Sequence, residues 1–274
     1  RIGTFASACL AAGGPIVIQL AEKVVIVTGG TRGIGAAIAG TCADLGGRVV
    51  LTGRNEKEGV AIEGGIRARG NSARFIQGDV TTPGFPERLM DDVLGQEGRI
   101  DVLVNNAGIL SRSNAADCTD AEWDAVIATN LTAVFQLCRA VVPVMRRQFK
   151  EYGRAGAIVN IASDWAVVGA HNAVAYGASK GAIAQLTRSM AIDHAKDGIR
   201  VNAVCRGHTE TDMLLPGRGN ENREDVLRRH GQAIPLGRVG EPVDVAAAVA
   251  FLASGAADYV TGILLPVDGG STAW

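Results

Sequence analysis

The sequence predicts an α/β fold in which one doubly wound parallel sheet of about seven strands carries helices on both faces. Short runs rich in Val, Ile and Leu alternate with longer segments whose apolar residues recur at helical spacing. Strands buried on both faces read as such continuous apolar runs, and their alternation with helices indicates right-handed crossovers. Glycine is also frequent, at 36 of 274 residues without a collagen-like period, which favours tight strand-to-helix turns.

Each predicted element follows from a local pattern. Runs such as VVIVT at 24–28 and DVLVN at 101–105 are typical of buried strands, and the charged segment 56–69 reads as a helix that Gly70 ends. The predicted strands are 24–28, 48–52, 73–77, 101–105, 157–161, 199–204 and 263–267. The predicted helices are 34–45, 56–69, 85–94, 121–149, 175–195 and 243–252.

Composition excludes several classes of function. The 27 basic and 28 acidic residues give a net charge of -1, so the basic excess of a nucleic-acid-binding protein is missing. The five cysteines are scattered and the four histidines show no ligand spacing, so neither a disulfide framework nor a metal site is indicated. No segment reaches the uninterrupted apolar length of a membrane span. Reduced thiols favour a cytoplasmic protein.

The chain is predicted to form one domain over residues 23–274, because no linker or composition break follows residue 23. Residues 1–22 differ from the rest and are expected to be a poorly ordered extension or leader rather than a secretory signal. A polar, charged stretch predicts a mobile substrate lid around 207–237.

A glycine-rich turn joins the first strand to the first helix and predicts a dinucleotide site. In TGGTRGIG (28–35), glycines permit positive φ and let backbone N–H groups approach a pyrophosphate at the helix N-terminus. The candidate contacts in this turn are Gly29, Thr31, Arg32, Gly33, Ile34 and Gly35.

The end of the second strand favours NADP(H) over NAD(H). An acidic residue there would bind the ribose 2′-hydroxyl of NAD, whereas the sequence reads Gly53-Arg54. Arg54, together with Arg32, suits a 2′-phosphate. The alternative is that both are ordinary solvated arginines.

A third pattern predicts acid–base chemistry. Tyr176 and Lys180 lie one helical turn apart, and Ser163 closes the fifth strand. A neighbouring ammonium favours the phenolate form of tyrosine, and the serine could hold a substrate oxygen. A Y-x-x-x-K spacing alone also arises by chance, so it is the combination that indicates a catalytic site.

Taken together, these motifs resemble the short-chain dehydrogenase/reductase family over about residues 23–270. The resemblance adds Asp79-Val80, NNAG (105–108), Asn130 and VDGG (267–270) to the patterns above. It implies a seven-stranded Rossmann-type sheet, usually in a homotetramer. It further implies that Tyr176 is the general acid/base, that Lys180 assists it and binds the nicotinamide ribose, and that Ser163 orients the substrate oxygen.

The resemblance also implies roles for the surrounding residues. Asn130 would hold a water that links Lys180 to a proton relay, and Asp79 and Val80 would frame the adenine. The remaining cofactor contacts would be Asn105, Ala107, Gly108, Gly207, Thr209 and Thr211, besides Tyr176 and Lys180.

One position departs from the family pattern. The family commonly has Pro-Gly after the sixth strand, where this chain has Arg206-Gly207. Arg206 could bind an anionic substrate group, or it could point to solvent and only loosen the loop. The candidate substrate residues are Asp164, Trp165, His171 and Arg206.

These observations predict an oxidoreductase that transfers hydride between NADP(H) and a secondary alcohol or ketone, with a small-molecule substrate. A non-catalytic dinucleotide-binding redox sensor is the alternative, although it would not need Ser163, Tyr176, Lys180 and Asn130 together. An epimerase or dehydratase would usually carry a larger substrate domain.

Overall fold

In a computed structural model that describes residues 18–214 and 222–273, the strands are β1 (Val24–Thr28), β2 (Arg48–Gly53), β3 (Ala73–Gln77), β4 (Val102–Asn105), β5 (Gly156–Ile161), β6 (Ile199–Arg206) and β7 (Leu264–Val267). These seven strands form one parallel sheet in the order β3-β2-β1-β4-β5-β6-β7. This confirms the predicted fold class. From β1 to β3 successive strands add to one side of the sheet, and from β4 onward they add to the other side. The crevice at this switch point between β1 and β4 is where doubly wound sheets bind ligands.

Helices cover both faces of the sheet. The helices are α1 (Gly33–Asp44), α2 (Glu56–Ala68), α3 (Phe85–Glu97), α4 (Asp120–Ile127), α5 (Ala133–Tyr152), α6 (Val174–His194), α7 (Arg223–Gln232) and α8 (Pro242–Ala253). Val24 and Ile26 of β1 point into a core shared with α3, α5 and α6, whereas Val25 and Val27 point into a second core shared with α1, α2 and α8.

The long helix predicted for 121–149 is present but is interrupted. A π-helical segment, Ala128–Thr132, joins α4 to α5 and carries the buried Asn130. Such wider turns are rare and concentrate at functional sites. By length and composition alone, the whole helical run Asp120–Tyr152 could cross a membrane, yet 44% of its most apolar stretch is buried within the domain.

Two further regions differ from the sequence expectations. Helix α7 lies within the expected lid and was not predicted; the Asn222 side chain accepts a hydrogen bond from the Glu224 backbone at its start. Most of the expected extension, residues 1–17, lies outside the described residues, as does 215–221 of the lid. Leu20 is fully buried and its N–H donates to the Leu45 carbonyl, so the end of that extension packs on the domain.

Buried polar side chains tie helix α6 to the sheet. The Asn105 amide donates to Asn160 at 2.9 Å, and the Asn160 amide donates to the Thr187 hydroxyl at 2.9 Å. Thr187 in turn donates to the Ile183 carbonyl within α6. This chain of hydrogen bonds links β4 and β5 to the helix that carries Tyr176 and Lys180.

Replacing Asn160 by Leu should lower the free energy of unfolding by about 2–4 kcal/mol, because two buried polar partners lose a hydrogen bond. Urea denaturation measures the change. Gln185→Leu, on the exposed side of α6, is the matched control and should stay within about 0.5 kcal/mol. Equal losses in the two variants would contradict this role for the polar chain.

Candidate active site

The turn between β1 and α1 forms a cradle with no room for side chains. Gly29 has a φ of +61°, and a Cβ atom there would lie 2.9 Å from the Ala107 Cα. A Cβ atom at Gly35 would overlap the Gly29 carbonyl oxygen. Helix α1 begins without a side-chain cap or an acidic residue in its first turn. Its N–H groups can therefore bind an anion, as the pyrophosphate of a dinucleotide requires.

Asn106 fixes this turn against β4. Its amide donates to the carbonyl oxygens of Thr28 and Gly29, both at 3.0 Å, while the Thr28 hydroxyl accepts from the Asn106 and Ala107 N–H groups. The family resemblance implied a cofactor contact for the neighbouring Asn105 instead. The Asn105 side chain is buried in the core against Cys138 and Asn160, so it does not line the cleft.

Arg54 and Arg32 flank the end of β2. A Cβ atom at Gly53 would lie 2.6 Å from the Thr31 Cγ2, so the position where an acid was sought has no room for one. Thr31 and Gly53 are in contact, and Arg32 and Arg54 are the residues that follow them in the sequence. The backbones of the two arginines are therefore close together. Both arginine side chains are mostly exposed. Arg32 lies 3.9 Å from the Asp212 carboxylate, and Arg54 lies 3.9 Å from the Asp79 carboxylate. Val80 is buried beside Asp79.

Lys180 lies at the base of the site. Its Nζ donates to the Ile161 carbonyl at 2.7 Å and lies 5.7 Å from the centre of the Tyr176 ring, one turn earlier on α6. Burial, reinforced by the nearby Arg206 charge, lowers the pKa of Lys180 to about 7. The ammonium and amine forms of Lys180 are thus close in free energy at neutral pH.

Ser163 and Tyr176 line the same pocket. The Ser163 hydroxyl donates to the Asp164 carboxylate at 2.8 Å and accepts from the Trp165 N–H, which caps the short turn Asp164–Ala166. The Trp165 ring packs edge-on against Tyr176, with ring centres 5.6 Å apart. This contact orients the tyrosine toward the pocket.

Asn130 lies behind the pocket, where the π-helical segment places it. Its side chain accepts from the Ile109 N–H at 2.8 Å and donates to the Ile109 carbonyl at 2.9 Å and to the Ser179 hydroxyl. A Cβ atom at Gly108 would lie 3.2 Å from Asn130 Oδ1 and 3.7 Å from Lys180 Nζ. Gly108 therefore leaves the space between Asn130 and Lys180 open.

Arg206 points into the pocket, so the alternative of a solvent-facing side chain is wrong. Strand β6 extends two residues beyond its predicted end, and Arg206 pairs with Val267 of β7. Its Nη2 lies 3.2 Å from the Tyr176 hydroxyl and 3.0 Å from the Met213 sulfur. A strand end, rather than a loop, thus directs the guanidinium at the tyrosine.

The pocket includes two residues that the sequence did not mark, Leu110 and Arg112, while His208 and Met213 come from the stretch expected to form the lid. It is lined by Leu110, Arg112, Ser163, Asp164, Trp165, Tyr176, Arg206, Gly207, His208, Met213 and Leu214. His171, expected to contact substrate, is exposed in a neighbouring groove that shares Trp165. No motif marked Leu110 or Arg112, because they meet the rest of the pocket only through the fold, far along the chain from Ser163 and Arg206.

The chain after β6 reaches back over the glycine turn. A Cβ atom at Gly33 would lie 3.2 Å from the Thr211 Cγ2, and the Thr211 and Thr209 hydroxyls donate to backbone carbonyls of this stretch. Gly207 lies against Asp268, where a Cβ atom would come within 2.7 Å of the Asp268 Cβ. Of the cofactor contacts expected after β6, Thr211 therefore lies against the start of α1.

Comparisons with known proteins agree with this geometry. Residues 29–272 match the family described as enoyl-(acyl carrier protein) reductase. The chain is 38% identical to the 3-oxoacyl-(acyl carrier protein) reductase FabG of Chlamydia pneumoniae, covering 93% of this chain and 99% of that protein. It is 39% identical to cyclopentanol dehydrogenase of a Comamonas species, covering 92% and 98%.

A solved structure shares the fold. It comes from Beutenbergia cavernae, is described as a candidate NAD(P)-dependent gluconate 5-dehydrogenase with NADP bound at low occupancy, and has a TM-score of 0.85. The two proteins are 34% identical over 94% of this chain and 99% of that one. Family match, relatives and fold together show that the chain belongs to the short-chain dehydrogenase/reductase family of NAD(P)-dependent oxidoreductases.

Proposed function

We propose that the protein transfers hydride between NADP(H) and a secondary alcohol or ketone, with Tyr176 as the general acid/base. One observation carries the proposal: the Tyr176 hydroxyl lies in a pocket with Ser163, while Lys180 lies beneath its ring and Arg206 contacts its oxygen. A phenol surrounded by positive groups can both release and accept a proton at the place where a substrate oxygen would bind.

The site residues divide the chemistry between them. When bound, NADPH supplies the hydride that a ketone carbon needs. Tyr176 donates its proton to the ketone oxygen, and the charges of Lys180 and Arg206 stabilise the phenolate that remains. Ser163 can turn its hydroxyl from Asp164 to the same oxygen, which fixes the carbonyl against the tyrosine. In the oxidation of an alcohol, the phenolate accepts the proton instead.

A redox sensor would need only the nucleotide cleft. The Ser163–Tyr176 pocket lies beyond the glycine turn and contains the side chains of a proton transfer, which sensing does not require. The relatives described as reductases and dehydrogenases also support the enzyme. Their names cover a 3-oxoacyl group on acyl carrier protein and a cyclic alcohol, so they support a ketone or alcohol substrate without choosing one.

Replacing Tyr176 by Phe should reduce turnover by about 10²–10⁴, because the ring and its packing stay while the transferable proton is lost. Rates of NADPH oxidation with a panel of ketones measure the loss, and fluorescence titration should show little change in NADPH affinity. Tyr152→Phe, at the exposed end of α5, is the matched control and should keep the wild-type rate. A Tyr176→Phe variant with nearly full activity would refute the assigned role.

Replacing Arg54 and Arg32 by Ala should weaken NADPH binding by roughly 1.5–3 kcal/mol for each lost charged hydrogen bond and leave NADH binding nearly unchanged. Calorimetric titration of both nucleotides measures the difference. Arg139→Ala, on the exposed side of α5, controls for a general loss of positive charge. A wild-type protein that binds NADH more tightly than NADPH would contradict the assignment.

A further inference from the structure

The Arg206 guanidinium has no carboxylate partner among residues 18–214 and 222–273. It is half-buried, and its recorded partners are the Gly207 carbonyl, the Tyr176 hydroxyl and the Met213 thioether, at 3.3, 3.2 and 3.0 Å. All three are neutral, and a thioether is a weak acceptor. A partly desolvated guanidinium is better satisfied by a carboxylate, which it can bind through two parallel hydrogen bonds.

The charges around the pocket favour a single anion. Arg206 and the more exposed Arg112, which stacks on the Trp165 ring, contribute two positive charges. The buried Asp164 contributes one negative charge and is already engaged by Ser163 and the Trp165 N–H. Burial lowers the pKa of His208 from its usual value and so favours the neutral form of this histidine. The described lining therefore has a net charge of +1, the complement of a monocarboxylate.

The distance between Arg206 and Tyr176 limits where that carboxylate can be. Arg206 Nη2 lies 3.2 Å from the Tyr176 hydroxyl. Each group would reach its substrate oxygen over a hydrogen bond of about 2.7–3.0 Å. The three distances add up to an outer limit of about 9 Å between the reacting oxygen and the nearer carboxylate oxygen. Where the two substrate oxygens lie side by side on the Arg206–Tyr176 pair, the carbonyl and the carboxylate are on adjacent carbons or have one carbon between them, and this is the arrangement we adopt.

Strand β6 fixes this anchor. Arg206 is in register with Val267, and the Gly207 N–H donates to the Val267 carbonyl at 3.0 Å. Side chains on strands hold a substrate more accurately than those on loops. The guanidinium thus has a defined origin, and only its long side chain needs to adjust when a ligand enters.

From this geometry we infer that the substrate is a 2-oxo or 3-oxo acid, or the corresponding hydroxy acid, whose carboxylate binds Arg206 while Ser163 and Tyr176 hold the reacting oxygen. The inference rests on the proposed function and names its substrate class. In reduction the carbonyl carbon gains the hydride supplied by NADPH, its oxygen gains the Tyr176 proton, and NADP⁺ leaves as the oxidised product. The carboxylate is unchanged.

Matched acids and esters test the inference. The kcat/KM for oxidation of 2-hydroxybutyrate and 3-hydroxybutyrate by NADP⁺ is compared with that for their methyl esters, which are neutral and similar in size. The wild-type protein should prefer at least one acid over its ester by about 10- to 100-fold, as expected for a charged hydrogen bond. Arg206→Gln removes a charge beside Tyr176 and so should slow both substrates, but it should slow the acid by a further 10- to 100-fold and thereby abolish the preference. Arg206→Lys should keep part of it.

Arg139→Gln, on the exposed side of α5, is the control for a general loss of positive charge and should retain the preference for the acid. Calorimetry with oxamate, an unreactive analogue of a 2-oxo acid, gives a readout without turnover. For an enzyme that takes 2-oxo acids, Arg206→Gln should weaken oxamate binding about tenfold or more. The Kd of NADP⁺ should not change, whereas a matching change would mean that Arg206 acts on the nucleotide and would overturn the inference.

Equal losses on acids and esters, or a wild-type protein without any preference for acids, would overturn the anion site. A protein that turns over neutral cyclic ketones but none of the acids would also overturn the anion site, while the proposed function would remain intact. Binding of NADPH without turnover of any ketone or alcohol would refute the proposed function itself, and the inference with it.

Discussion

The site depends on one hydrogen bond inside the protein, from the Lys180 ammonium to the Ile161 carbonyl at the end of β5. Burying an ammonium is unfavourable unless it is well paired, and no carboxylate among the described residues lies within ion-pair distance of this one. The protein accommodates it with a backbone oxygen and with a pKa lowered to about 7 by burial and by Arg206. Helix α6 is thereby fixed on the carboxyl edge of the sheet, with its reactive side chains facing the cleft.

The rest of the site is arranged around that lysine. Tyr176 lies one turn earlier on α6, and Trp165 holds its ring from the side. Arg206 reaches the phenol oxygen from β6, so two basic groups from different elements surround one hydroxyl. The π-helical segment brings Asn130 to Ile109, which closes the back of the cleft without covering Lys180. A proton transfer and an anion site can then share the space between Tyr176 and Arg206.

Sequence patterns predicted the sheet, every described helix except α7, with α4 and α5 taken as one segment, and the positions of Ser163, Tyr176 and Lys180, because burial periodicity and the glycine turn are local signals. Other features depend on contacts between distant segments. Asn105 and Asn106 are adjacent in the same motif, yet the alternation of side chains along β4 buries the first and turns the second toward the glycine turn. The orientation of Arg206 follows from the pairing of β6 with β7. Helix α7 was not predicted because its polar stretch lacks a clear apolar stripe, although Asn222 caps its start.

The most direct test of a buried, destabilised ammonium at the site compares the wild-type protein with Lys180→Met. The free energy of unfolding of each protein is measured in urea from pH 7 to pH 9. The folded pKa of Lys180 lies near 7, below the unfolded value of 10.5, so the unfolded chain binds more protons throughout this window. Wild-type stability should therefore rise with pH relative to the variant, by about 2 kcal/mol in total. Parallel stability curves for the two proteins would contradict the buried-ammonium account.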